Sequence, residues 1–106
     1  MKEIGCGKMV CGGNVMGTII NITDEVKYQS INPDHIVVLK NSDPVNALYI
    51  MHAGGVIIRN GGILAHSCLL AMEMGKPCIT QIGNDLCLSD GTKVILNATE
   101  GVIYEL

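Results

Sequence analysis

The sequence predicts an α/β domain built on a mixed sheet with short helices, and three observations lead there. Short runs rich in β-branched residues stand near both ends and in the middle of the chain, around residues 15–22, 35–40, 56–58, 78–82, 93–96 and 102–104. Two segments with helical spacing fall between them, one opened by a capping signal and one by a glycine pair. Strands at both ends of the chain allow antiparallel as well as parallel pairing, so a doubly wound sheet is not expected. With 106 residues, 48% of them apolar, the chain suits a single domain over 1–106 and is too short for two.

In chain order, residues 1–14 contain Gly5, Gly7, Gly12 and Gly13 and read as a glycine-rich lead-in, flexible or an ordered edge, with a short strand around Lys8 to Cys11. Val15 to Ile22 is β-branched on both alternating sets of positions, as in a strand covered on both faces. Pro33-Asp34 turns the chain into a strand over His35 to Lys40. Asn41-Ser42-Asp43-Pro44 is a helix start, with Ser42 or Asp43 as N-cap and Pro44 in the first turn. Val45, Leu48, Tyr49 and His52 follow at helical spacing, and Ala53-Gly54-Gly55 ends that helix. Val56-Ile57-Ile58 is long enough only for a buried strand. After Pro77, strands are expected at Cys78 to Ile82, Lys93 to Leu96 and Val102 to Tyr104, with turns at Asp90-Gly91 and Asn97 to Gly101.

Composition narrows the classes of function. The net charge is −3 and the seven basic residues are scattered, which argues against a nucleic-acid surface or an acidic-lipid anchor, so neither nucleic acid nor membrane is an expected partner. With three tyrosines, no tryptophan and no phenylalanine, the chain lacks stacking platforms for single-stranded nucleic acid. Five cysteines in an odd set without C-x-x-C spacing, and no signal peptide, point to a reducing, cytoplasmic compartment. Cys68 and Cys78 sit inside apolar elements and read as small buried hydrophobes. Cys6 and Cys11 with His35 or His52 match no common zinc spacing, so no metal site is expected. His35 precedes a strand, and His52 closes a helix where an imidazolium suits the dipole.

The stretch Gly61-Gly62-Ile63-Leu64-Ala65-His66-Ser67-Cys68-Leu69-Leu70-Ala71-Met72-Glu73-Met74-Gly75-Lys76-Pro77 carries the chemistry. Two glycines permit positive φ and close approach of a ligand, while Gly75 and Pro77 stop the helix, which is expected over Ala65 to Met74. At about 100° per residue, Ala65, Cys68, Leu69 and Met72 form an apolar stripe, and His66 falls off it, near Glu73. A histidine in the first turn meets unpaired N–H groups and the positive end of the helix dipole, a setting that favours phosphate.

The run AGGVIIRNGGILAHSCLLAMEMGKPCIT resembles the phosphohistidine, or swivelling, domain of phosphoenolpyruvate-utilising enzymes, such as pyruvate phosphate dikinase, phosphoenolpyruvate synthase and rifampin phosphotransferase. Gly61, Gly62, His66, Ala71, Glu73, Gly75 and Pro77 match that pattern in register, and Asp43-Pro44, Asp90-Gly91 and Thr99-Glu100-Gly101-Val102 extend the likeness over nearly the whole chain. Ala65 stands where Ser, Thr or Cys is usual, Met72 where Arg is usual, and Arg59 where an acidic residue is common. The resemblance implies a swivelling β/β/α domain in which His66 carries a phosphoryl group between two remote sites. Gly61, Gly62, Arg59 and Glu73 form the expected phosphate environment, Arg59 reaching round the glycine pair as a substitute cation.

A neutral imidazole nitrogen attacks phosphorus directly, and the phosphoramidate keeps a high transfer potential, which suits a carrier that must give the group up. Phosphoryl transfer needs chiefly alignment and charge neutralisation. The chain has no Gly-rich loop followed by Lys-Ser/Thr and no carboxylate cluster for Mg²⁺. No cofactor is therefore expected on this domain. The resemblance places Mg²⁺ and ATP or phosphoenolpyruvate on partners: an ATP-grasp-type nucleotide-binding domain and a phosphoenolpyruvate/pyruvate-type or other acceptor domain, in cis or in trans, with an oligomer also possible. The alternative is a swivelling module that keeps the fold and serves as an interaction or regulatory subunit. A third reading, a metal or thiol-redox protein, requires bound metal or a reactive low-pKa thiol.

Overall fold

The computed structural model describes residues 1–106. Eight strands and two helices follow one another as β1 (Lys2–Cys6), β2 (Lys8–Cys11), β3 (Asn14–Asn21), β4 (His35–Leu39), α1 (Ala47–His52), β5 (Gly55–Ile58), α2 (His66–Glu73), β6 (Cys78–Thr80), β7 (Lys93–Asn97) and β8 (Val102–Glu105). The strands form one sheet in the order β1-β8-β7-β3-β4-β5-β6-β2. β3 to β6 are parallel, and every other pairing is antiparallel. This is the mixed α/β sheet with short helices that the sequence predicts. None of the helices is long and apolar enough to cross a membrane.

The central strands are apolar on both alternating sets of positions because each face meets a layer. On one face Val37 and Leu39 of β4 and Val56 and Ile58 of β5 pack against Ile50 and Ala53 of α1's end and Cys68 and Ala71 of α2. On the other, Ile36, Val38, Ile57 and Ile79 meet Val94, Leu96 and Ile103 of β7 and β8. The antiparallel part of the sheet therefore turns over the parallel part, giving three layers: helices, parallel strands, antiparallel strands.

The glycine-rich lead-in is an ordered part of this sheet. β1 and β2 stand at opposite ends of the strand order, yet Gly7 alone separates them in sequence. The Gly7 N–H donates to Gly101 O at 2.8 Å. A Cβ on Gly7 would lie 2.6 Å from Thr80 O, so close backbone packing demands glycine where one run leaves β8 and joins β6.

Other boundaries shift for local reasons. β6 ends at Thr80 rather than Ile82, since Gln81 takes φ +61° and carries the chain out of the sheet. The first helix opens as a 3₁₀ turn over Pro44–Asn46, with Asp43 as the cap that accepts the Val45 N–H at 3.0 Å. Its buried positions are Asn46, Ile50 and Ala53, leaving Val45 and Leu48 exposed. α2 begins at His66, and its buried face is Ser67, Cys68 and Ala71. The stripe Ala65, Cys68, Leu69, Met72 is thus corrected: Leu69 and Met72 are 42% and 40% exposed. All five residues from Cys68 to Met72 are apolar, so spacing alone does not select a face. Close approach to the sheet selects the small side chains instead.

Candidate functional site

β5 leaves the core at Ile58 and the loop 59–65 brings the chain to His66, the first residue of α2. Gly61 takes φ +139°, a conformation reserved largely for glycine. Gly62 does not share it; a Cβ there would meet nothing within 4 Å, so this glycine leaves open space. Thr80, fully buried at the end of β6, donates its hydroxyl to Gly61 O at 2.9 Å. The turn before His66 is thereby tied to the neighbouring strand.

The start of α2 is capped from elsewhere in the chain. Ala65 occupies the N-cap with extended backbone and offers no side-chain hydrogen bond. Ser42, in the loop after β4, accepts the Ser67 N–H at 2.9 Å. Leu69 N–H is the first to bond back into the helix, to Ala65 O at 3.0 Å, which leaves the N–H groups of His66 and Cys68 outside the ladder. Ser67 Oγ is buried and has no hydrogen-bond partner.

His66 itself is exposed and lines none of the three crevices of the surface. Nearby in sequence, Leu64 is 78% exposed and Ile63 and Leu69 are also open. An imidazole on open ground, beside free helix N–H groups, has a nucleophile but no cleft for a substrate of its own. Chemistry at this residue calls for a second surface.

Of the expected phosphate environment, the structure brings Gly61 and Gly62 to His66 and separates the other two. Glu73 lies seven residues along α2, about 10 Å down the axis. Arg59 continues the alternation of β5, in which Val56 and Ile58 face the helices and Ile57 faces the opposite layer. Its Nη1 donates to Gly83 O at 3.1 Å, and it shares a crevice with Lys40, Asn21 and Asn84. Ser42 and Thr80 are site residues that sequence reasoning missed. Ser42 had a signal, a cap-type residue beside Asp43, but its helix is the second one.

All five cysteines are free thiols. Cys68 and Cys78 are buried in the helix-side core, as their apolar contexts suggest. Burial pushes the Cys68 thiol up, against a smaller opposing effect of its hydrogen bond with Thr80. Burial raises Cys78 further, and the neighbouring Cys68 and Cys11 act in the same direction. No group of three or more His, Cys, Asp or Glu side chains is placed to hold a metal ion.

Fold and site together define a β/β/α domain with one exposed histidine at a helix start behind a glycine turn. The family described as "PEP-utilising enzyme, mobile domain" matches residues 31–101, and the chain belongs to that family. It is 27% identical over 106 residues to a probable phosphoenolpyruvate synthase of Methanothermobacter thermautotrophicus, covering 99% of this chain and 15% of that protein. It is 30% identical over 105 residues to a pyruvate kinase of Staphylococcus haemolyticus, covering 97% of this chain and 18% of the relative. The chain thus spans less than a fifth of either relative's length. Among solved structures, a chain of Thermococcus kodakaraensis aconitase X (holo-form) superposes with a TM-score of 0.65 at 13% identity, covering 96% and 97% of the two chains. The Enzyme I (nEIt) protein gives 0.61 at 19% identity, covering 76% of this chain and 34% of that one. At such identities these two show a shared fold.

Proposed function

We propose that this chain is the phosphoryl carrier of a phosphoenolpyruvate-utilising phosphotransferase, with His66 as the residue phosphorylated. The observation that carries the reading is the exposure of His66 at the first position of α2, outside every crevice, in a chain of the mobile-domain family. A side chain so placed can enter the cleft of one partner and then of another. Within the first cleft an imidazole nitrogen attacks the donor's phosphorus, the N–P bond forms, and the P–O bond to the donor breaks with its electron pair leaving on the donor. At the second cleft an acceptor oxygen attacks, and the N–P bond returns its pair to the imidazole.

The residues of this chain orient and neutralise. Gly62 leaves room on the approach side, Gly61 and Thr80 hold the turn, and the N–H groups of His66 and Cys68 face developing negative charge at the positive end of α2. ATP or phosphoenolpyruvate, and Mg²⁺, belong to the partners: an ATP-grasp-type nucleotide-binding domain and a phosphoenolpyruvate/pyruvate-type acceptor domain in a cytoplasmic assembly. The chain's short span of its multidomain relatives supports that division of labour.

Incubation with such a partner and labelled donor is expected to add one phosphoryl group, acid-labile and base-stable, seen by intact mass and absent in His66→Ala. A chain that binds these partners and never acquires the group on His66 is the interaction module instead, and the carrier reading fails.

A further inference from the structure

We propose that a second anion site, separate from His66, lies at the carboxyl ends of the central strands between Lys40 and Arg59, and that it takes a small phosphomonoester. The crevice, of about 470 Å³, is lined by Asn21, Ile22, Val38, Lys40, Arg59 and Asn84. Two of these six are cations, two are carboxamides, two are apolar, and none is acidic. It opens at the carboxyl ends of β3, β4 and β5, where the sheet changes from parallel to antiparallel pairing at β3.

The wall is built before any ligand arrives. Arg59 O accepts the Gly83 N–H at 3.0 Å, and Arg59 Nη1 donates to Gly83 O at 3.1 Å. Asn60 Nδ2 bridges Lys40 O at 3.0 Å and Asn84 Oδ1 at 2.8 Å. These bonds fasten the 83–84 loop to the ends of β4 and β5 and fix the half-buried guanidinium. They spend one of its five donors and leave the rest. Asn84, its oxygen engaged by Asn60, turns a free NH₂ to solvent. Lys40, just past the end of β4, adds an ammonium on the rim towards a second crevice that contains Asp24 and Asp43.

The donor set suits a doubly charged, tetrahedral group: one planar fork, one point charge and one amide. The remainder suits an organic body on that group. Asn21 spends both amide hydrogens on Leu88 O and Asp90 Oδ1, at 2.7 and 2.8 Å. Its oxygen is left to accept from a hydroxyl, while Ile22 and Val38 supply an apolar floor. The volume falls in the range of small-molecule sites and exceeds what a bare phosphate fills.

Titration of the full chain with glycerol phosphate, inorganic phosphate and glycerol, followed by amide NMR, tests the site. Glycerol phosphate is expected to shift the Arg59, Asn60 and Asn84 signals saturably, more tightly than inorganic phosphate, with no effect of glycerol. Lys40→Met and Asn84→Asp are each expected to weaken binding about tenfold or more. The second keeps the oxygen that Asn60 needs, so its fold is retained while the donor becomes an anion. His66→Ala is expected to bind unchanged, which separates this site from the carrier reading. The proposal is overturned by shifts confined to α2, by binding unaffected in both crevice variants, by loss in His66→Ala, or by inorganic phosphate binding as tightly as the ester.

Discussion

Ser42 Oγ accepts the backbone N–H of Ser67 at 2.9 Å across 25 residues of sequence, so the helix that carries His66 is anchored by the loop leaving β4. The same loop supplies Asp43 as the cap of the preceding 3₁₀ turn. One short segment thereby sets the start of both helical elements on this face.

Ser42→Ala removes that acceptor and leaves a part-buried N–H unpaired. The expected loss is about 1 kcal/mol, the usual worth of an N-cap side chain, read as a lower urea midpoint with an unchanged slope. Ser42→Thr restores most of it. An unaltered midpoint in Ser42→Ala would show that water replaces the serine at no cost.

The two glycines before His66 separate under substitution. Gly61→Ala forces a Cβ onto φ +139° and is expected to cost about 1–3 kcal/mol. Gly62→Ala, with nothing within 4 Å of the new atom, is expected to change stability little and to slow phosphorylation of His66 instead. Equal loss of stability in both variants, measured by thermal or urea unfolding, contradicts the assignment of one glycine to backbone geometry and the other to access.

Thiol titration should sort the five cysteines by position. Exposed Cys6 and Cys87 react first and Cys11, half-buried, follows. Cys68 and Cys78, buried and with raised thiol pKa values, react only as fast as the domain opens. Mass mapping of partly labelled protein checks the order, and early modification of Cys68 or Cys78 breaks it.

Asp90 gives stability an acid limb. The Asn21 backbone N–H, and secondarily its side-chain amide, donate to the carboxylate and hold its pKa below the usual value. Between that lowered value and the ordinary one near ~4, the unfolded chain binds more protons than the folded chain. The contribution is complete above that ordinary value and is lost as pH falls through the folded value. Asp90→Asn removes it, so the gap between the urea midpoints of the two proteins is expected to be widest near neutrality and to close in acid. A gap independent of pH between neutrality and strong acid excludes this linkage.

The sequence made the parallel centre legible because β4 and β5 each carry three consecutive β-branched residues in a run too short for an amphipathic helix. His66 and Gly61 were legible for a similar reason: glycine pair, histidine and helix stop are contiguous. What could not be read depended on distance. Thr80 reaches Gly61 across 19 residues and Ser42 reaches Ser67 across 25, and nothing local marks either contact. Arg59 was visible as a charge, but its side is set by the alternation of β5, which turns it from the helix layer. The helix faces were misread because Cys68 to Met72 offers apolar groups in nearly every direction. β1 was obscured by Lys2, Glu3 and Gly5, whose partners stand at the far end of the chain in Tyr104 and its neighbours.

That last pairing governs how the domain comes into being. Lys2–Cys6 is synthesised before the parallel core, and its partner Val102–Glu105 after it. The first strand therefore waits unpaired while the parallel core assembles between. A nascent chain halted before β8 therefore presents a bare sheet end, open to chaperones, proteases and neighbouring chains. Synthesis of β8, rather than any earlier folding step, is what closes this end of the sheet.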